Sequence, residues 1–416
     1  MLVNGTVIQK IMGEKVGRKV EVGEKILLPL DLVVMRDFGG PNVIKKYVEK
    51  FGEERPLDAR KIAFTFDLHL PARQIKEAEN QKACREFAKK YGIKVFDVNN
   101  GIGQHTLLEN GMIKPGSVVI GTDSHMNLLG AANSFSTGVG TTDIVAGMRF
   151  GKTWFKVPET IKINVEGGLS KGVYAKDLIL HIVKTLGSDG AAYKAVEFYG
   201  DIIEKMNLAA RITMASMVTE MDGKISFFPM NDAAKEELRK YVSFDKVYNA
   251  DGDAEYAEEY TIETPSSPQI ACPHSPDNVK SIEEVEGTEI NQAFIGSCTN
   301  GRLEDLREAA KILKGRKVKE GFRLIITPAT INVAREAEER GYIKIFLEAG
   351  AIVTNPSCAL CTIGHPGVLA TGDATLSTSN RNFPGKIGKG SIYLCSPAVA
   401  AYSAIKGKIA DPREVL

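Results

Sequence analysis

Residues 293–301, AFIGSCTNG, and residues 351–367, AIVTNPSCALCTIGHPG, decide how this chain is read, because they hold Cys298, Cys358 and Cys361. Each cysteine site follows a short apolar run, Ala293–Gly296 in the first stretch and Ala351–Thr354 in the second, that reads as a buried strand. Between them lies an amphipathic helix with Leu303, Leu306, Ala310 and Leu313 on one face and Gly315 to end it. A strand at Phe322–Thr327 and more helix follow. Strand–helix alternation predicts an α/β fold with a mostly parallel sheet, both cysteine loops leaving its carboxyl edge. Ligands bind at that edge in open α/β sheets. Cys298 precedes a helix N-terminus, where the dipole and free N–H groups favour a thiolate. Thiolates converging from two loops predict a metal or cluster site. The competing reading is unrelated buried cysteines; Pro and Gly framing the pair, and the polar turn around Cys298, favour the metal site.

Composition narrows the class. A chain of 416 residues has room for two or three domains with substantial cores. Its 53 basic and 52 acidic side chains leave no general field toward nucleic acid or an anionic membrane. Six cysteines in this length are too sparse for a disulfide scaffold and point to a reducing compartment. The opening MLVNGTVIQKIMGEK has no apolar signal core, and no stretch approaches the length of a membrane span. A cytoplasmic protein is expected.

Taken in order, Lys61–Thr65 reads as a strand ending at Asp67 and His69, followed by a long helix from Arg73 to Tyr91. A strand at Lys94–Val98 leads into the loop NNGIGQHT, and Ser117–Gly121 is a strand that empties into TDSHM. The Gly-rich ANSFSTGVGTTD lets a backbone approach a ligand closely, but it matches neither phosphate-loop pattern. Helices are expected over Asp177–Leu186 and around Met214–Glu220. Residues 245–290, acidic and then rich in Pro and Ser, read as a linker.

The polar candidates cluster at strand tips: Asp67 with His69, His105, Asp123-Ser124-His125, and Asn380-Arg381. Acid and imidazole groups beside a metal suit proton transfer to or from a hydroxyl group. Arg381, in STSNRNFPGK, offers the planar fork that binds a carboxylate. His181, Cys84 and Cys395 read as core residues, and Cys272 and His274 have no evident partners.

GTDSH, GVGTTD, VPET, GSCTN, the Cys358/Cys361 pair and STSNRNF stand in the order found in the aconitase family. In length and layout the chain resembles the iron–sulfur large subunits of the 3-isopropylmalate dehydratase and homoaconitase type. That resemblance implies three α/β domains with mostly parallel sheets around a central 4Fe–4S cluster, with domains 1 and 2 interleaved over residues 1–285 and domain 3 over 286–416. It implies Cys298, Cys358 and Cys361 as cluster ligands, with one iron left open to substrate. It carries Asp67, Asp123, His125 and Glu220 over as catalytic groups, and Ser124, Asn380 and Arg381 as substrate contacts. The implied reaction is dehydration and rehydration of a 2-hydroxy di- or tricarboxylate.

Five departures surround the same pocket. The family's Asp-His is Asp67-Leu68-His69 here, and its GIxHQ is Gly101-Ile102-Gly103-Gln104-His105, each with the histidine one place late. His69 and His105 are therefore expected to act from shifted positions. Ser216 replaces an asparagine, Lys386 replaces an arginine, and Arg36 stands where aconitases carry glutamine; Arg36 and Lys386 are expected to touch substrate. The family's swivelling domain has no counterpart before Leu416, so a small-subunit partner is expected, with no nucleic acid or membrane. Two other readings remain: an iron- or redox-sensing binding protein, and a zinc site on the three cysteines.

Overall fold

The computed structural model describes residues 5–363 and 365–416. Its architecture is three α/β layers, each built on its own sheet. The first sheet is parallel throughout, in the spatial order Lys94–Phe96, Ile62–Thr65, Leu32–Arg36, Val118–Gly121, Phe135–Gly138. Its central strands are short and apolar without alternation, as expected where helices cover both faces. The second sheet is also parallel, in the order Ile225–Phe227, Ala195–Tyr199, Thr160–Glu166, Glu258–Glu263. The third runs Val279–Ser281, Gln269–Ala271, Ser391–Leu394, Ala374–Ser377, Gln292–Ile295, Arg323–Ile326, Ile352–Val353. Only Gln269–Ala271 runs against the others, pairing antiparallel with both of its neighbours, while the remaining pairs are parallel.

The expected strands and helices recur with small shifts at their ends, including the helix Leu303–Leu313 between the cysteine stretches. Residues 245–290 are not a linker. Glu258–Glu263 forms the edge of the second sheet, its charged side chains facing out while Ile262 is buried, a pattern suited to an exposed edge. Gln269–Ala271 and Val279–Ser281 join the third sheet, so the sheet carrying the cysteines reaches back across the boundary drawn at 286. The first two sheets follow one another along the chain, over residues 32–138 and 160–263. No helix among the described residues is long and apolar enough to cross a membrane.

The first and third layers meet edge to edge through their carboxyl-end loops. Cys358 N–H donates to Asp67 O at 2.7 Å, and Ile102 N–H donates to Ala329 O at 2.8 Å. Leu68, Leu107 and all of the expected cluster cysteines share one buried apolar cluster. Gly101 sits in this seam at φ +102°, and a Cβ there would lie 2.4 Å from Ala329 O. Gly101→Ala is therefore expected to loosen the seam: the backbone conformation alone costs about 1–3 kcal/mol, with the clash added. A larger fall in thermal unfolding temperature than for Gly315→Ala, which lies at φ +71° in open space and so carries the backbone cost without the clash, checks this.

Candidate active site

The strand Gln292–Ile295 delivers Cys298 through a strained turn: Ser297 lies at φ +78° and opens the single helical turn Ser297–Asn300. A non-glycine residue held there needs outside support. Gly296 N–H donates to Thr378 Oγ1 at 2.9 Å, and Thr299 N–H to Ser297 Oγ at 3.1 Å. The other loop leaves Ile352–Val353, is tied by Asn355 Nδ2 to Leu70 O at 3.0 Å, and places Cys358 and Cys361 with their sulfurs 2.8 Å apart. All three thiols are buried, and both members of the pair hydrogen-bond Cys298. Those bonds hold the Cys298 thiol well below the ordinary range. The same contacts push Cys358 up to about 11 and Cys361 higher.

Among the described residues, no group of three or more His, Cys, Asp or Glu side chains stands ready in metal-ligand geometry; the sulfurs are drawn together as thiols. The donor set nevertheless suits iron–sulfur chemistry, being sulfur alone and buried. Around Cys298 Sγ, Asn380 Nδ2 donates at 3.4 Å and Ser216 Oγ lies at 3.8 Å, and both side chains also reach Thr299 Oγ1. Polar groups of this kind orient and tune a thiolate ligand.

Beside the thiols runs a chain of alternating charges. Arg381 Nε donates to Glu220 Oε2 at 3.0 Å, and Glu220 Oε1 is 2.7 Å from His125 Nε2. His125 Nδ1 lies 3.2 Å from Ser124 Oγ, which also accepts from Arg381 Nη1 at 3.2 Å. Asp123 Oδ1 accepts from the His125 N–H at 2.9 Å, and Asp123 Oδ2 meets Arg36 Nη1 at 2.7 Å. Arg36 Nε then donates to Asp67 Oδ1 at 2.7 Å, while Asp67 Oδ2 accepts from Gly103 N–H at 2.8 Å. Burial alone would discharge this chain; pairing sorts it. Burial pushes the Asp67 carboxyl up to about 8 against the pull of Arg36. For Asp123 the guanidinium of Arg36 and the bonds to His125 overcome burial and hold it far below the carboxylate range. His125, against burial, is raised by Asp123 and Glu220, and Glu220 is lowered by His125 and Arg381. A cleft of about 420 Å³ opens beside Asp123 and Ser124, walled by Val139, Trp154, Phe155, Tyr193 and Lys224.

The structure thus brings together Arg36, Asp67, Asp123, Ser124, His125, Glu220, Asn380, Arg381 and the cysteines. It does not bring the two shifted histidines into the chain. His105 is fully buried, with Nε2 2.9 Å from Cys298 O and Nδ1 3.4 Å from Arg302 Nη1. Burial and the neighbouring guanidinium push it down to about 3, so it is a neutral ring donating to a carbonyl. His69 turns to Glu77, 3.6 Å from Oε1, with its ring against Phe38. Both were expected in the proton relay; a one-residue step, in the turn after Asp67 for His69 and on the helix Gly103–Glu109 for His105, aims the side chain elsewhere. Leu68 and Gln104 are the buried residues at those places. Lys386 holds its ammonium over the Phe383 ring at 5.4 Å. Lys176 was missed: buried on the helix Ala175–Leu186, it donates to Thr378 O at 2.8 Å and Ser379 O at 2.6 Å, supporting the Asn380 loop. The signal was a lysine at a position of a helix that otherwise faces the core.

Comparison with known proteins shows the family. Residues 9–287 and 280–407 match the family model described as Aconitase family (aconitate hydratase). The 3-isopropylmalate dehydratase large subunit of Thermoanaerobacter sp. (strain X514) is 46% identical over 416 residues, covering 99% of each chain. The 3-isopropylmalate dehydratase large subunit 1 of Archaeoglobus fulgidus is 43% identical over 417 residues, again covering 99% of each. Among solved structures, holo aconitase X of Thermococcus kodakaraensis has a TM-score of 0.52 at 16% identity over 90% of this chain and 89% of that one, a likeness of fold alone. With the family model spanning nearly its whole length and such relatives matching end to end, the chain belongs to the aconitase family.

Proposed function

We propose that the chain is the large subunit of an iron–sulfur hydro-lyase that removes and re-adds water on a 2-hydroxy dicarboxylate of the 3-isopropylmalate type. The observation that carries this reading is the meeting of three buried thiols with the charge chain from Arg381 to Asp67 at facing carboxyl edges. Cys298, Cys358 and Cys361 would hold a 4Fe–4S cluster, which supplies a Lewis acid toward hydroxyl and carboxylate oxygens when bound. The chain's own residues bind, orient and move protons. Arg381, aimed by Glu220 and Ser124, offers its fork to a substrate carboxylate, and Lys386, five residues on, is the candidate for a second one. His125, held between Glu220 and Ser124, relays a proton by taking one up on one ring nitrogen as it releases another from the other, between Glu220 Oε1 at Nε2 and Ser124 Oγ at Nδ1. Asp67 and Asp123 fix Arg36 beside the thiols, and Arg36 Nη2 remains buried without a partner, ready for an oxygen of substrate. His105 and His69 take positioning roles, the first pinning the Cys298 carbonyl and the second bracing the turn after Asp67 against Glu77.

A smaller alkylmalate, of the methylmalate or dimethylmalate type, is the second reading. It is favoured by buried Leu68, which packs in the same apolar cluster as the cysteines where the family has an imidazole. Relatives named as large subunits imply a small partner. The protein alone is therefore expected to run at least about 10²–10⁴-fold more slowly than with that partner, the usual loss when a general base is missing. Anaerobic co-expression with the small subunit, followed by 3-isopropylmalate and dimethylmalate assayed for absorbing alkene, tests the reading. Full turnover by the large chain alone, or no alkene from either acid, would contradict it.

A further inference from the structure

One buried group is left unused by the scheme above. The Gln104 side chain is 1% exposed, and neither Oε1 nor Nε2 has a hydrogen-bond partner. Buried amides are nearly always paired, because leaving both ends dry forfeits the hydrogen bonds they made in water. The residues on either side show where this one is held. Gly103 N–H donates to Asp67 Oδ2 at 2.8 Å, and the His105 ring reaches Cys298 O at 2.9 Å. Gln104 therefore sits in the wall between the carboxylate and the cysteine loop. Arg36, which holds Asp67 through Nε, also has a buried nitrogen without a partner, Nη2. Two residues that adjoin Asp67, Arg36 through its Nε and Gln104 through the Gly103 N–H before it, thus carry two unpaired donors, Arg36 Nη2 and Gln104 Nε2, and one unpaired acceptor, Gln104 Oε1. A bare carboxylate satisfies the donors and leaves the acceptor dry. A carboxylate with a hydroxyl on the adjacent carbon satisfies all of them.

We infer that Gln104 is a specificity residue that reads the 2-hydroxy acid end of the substrate, donating from Nε2 to a carboxylate oxygen and accepting at Oε1 from the hydroxyl. Arg36 Nη2 donates to the same carboxylate. This rests on the hydro-lyase reading and adds to it a reason for discrimination: a ligand without the hydroxyl leaves a buried carbonyl oxygen unpaired. Sites built to bond a hydroxyl reject the analogue lacking it far more strongly than apolar pockets reject a methyl group.

The test uses the anaerobically purified two-subunit complex with Gln104→Leu and, as a second apolar replacement of similar length, Gln104→Met. Probes are 3-isopropylmalate with isopropylsuccinate, and dimethylmalate with dimethylsuccinate, each succinate lacking only the hydroxyl. Without ligand, the unfolding temperature of both variants is expected to hold or rise, since an unpaired buried amide has been removed. Both ligands lose the bond from Nε2 to a carboxylate oxygen, and only the hydroxy acid also loses the neutral bond to Oε1, so kcat/KM for the hydroxy acid is expected to fall roughly 2- to 13-fold further than the Ki of the succinate rises. A lower unfolding temperature in both variants, with hydroxy acid and succinate affected alike, would make Gln104 structural and overturn the inference. Unchanged constants in both variants would overturn it equally. A parent complex that converts neither hydroxy acid removes the hydro-lyase reading and this inference together, and that failure is visible in the parent alone.

Discussion

Cys361→Ser, prepared and reconstituted without oxygen, is expected to hold no complete 4Fe–4S cluster and to fall to background activity, with Cys298→Ser and Cys358→Ser behaving alike. The sulfurs at 358 and 361 are 2.8 Å apart, and both bond Cys298, so all three converge on one buried point. A serine hydroxyl is harder and far less acidic than a thiol, and it does not replace thiolate on iron–sulfur clusters well. Cys84→Ser is the control. That thiol is sealed in the core of the first layer, where burial pushes it up to about 12, and the site does not use it. Iron and sulfide per chain, with the visible absorbance of the cluster, measure the outcome. A full complement of both in the serine variant at 358 or 361 would defeat the assignment.

Much of the fold was legible because its strands are continuous apolar runs followed by polar tips. Val118–Gly121 into Asp123 and Gln292–Ile295 into Cys298 are the plainest cases, and each tip falls at a carboxyl edge as the alternation requires. Glu258–Glu263 was not legible for the converse reason. It lies at a sheet edge, most of its side chains face water, and its acidic sequence looks like a solvated connection until Thr160–Glu166 is beside it.

In the site, residues whose backbone place decides their role were readable, and those whose facing decides it were not. Asp123, His125, Asn380 and Arg381 follow strands directly and came together as expected. At 104 and 105 the stretch read as a loop, yet a helix spans Gly103–Glu109. Neighbours on a helix point about 100° apart, so Gln104 and His105 diverge, and His105 is spent on the Cys298 carbonyl. Arg36 looked like a substrate contact only. Its larger structural part, as the cation shared by two buried carboxylates, depends on side chains 31 and 87 positions away and has no local signature.

That part predicts the effect of Arg36→Met. Asp67 and Asp123 are 1% and 6% exposed, and the guanidinium stands between them. Removing it leaves two acids facing each other in a dry site. Breaking a buried pair by deleting one partner typically costs about 3–5 kcal/mol, and urea unfolding at about pH 9, above the value of about 8 to which burial pushes Asp67, reads it out at Trp154, the chain's one tryptophan. The double variant Arg36→Met/Asp67→Asn separates charge from shape. If repulsion between stranded carboxylates is the cause, it should recover at least half of the lost stability while activity stays lost, because neither Nη2 nor the Asp67 carboxylate remains for substrate. Arg36→Lys should fall between: an ammonium keeps the charge but cannot span both carboxylates and still present a third N–H edge. It is therefore expected to keep more stability than Arg36→Met while raising KM. Stability of Arg36→Met within about 1 kcal/mol of the parent would mean the two acids discharge by taking up a proton. The guanidinium would then serve substrate binding alone.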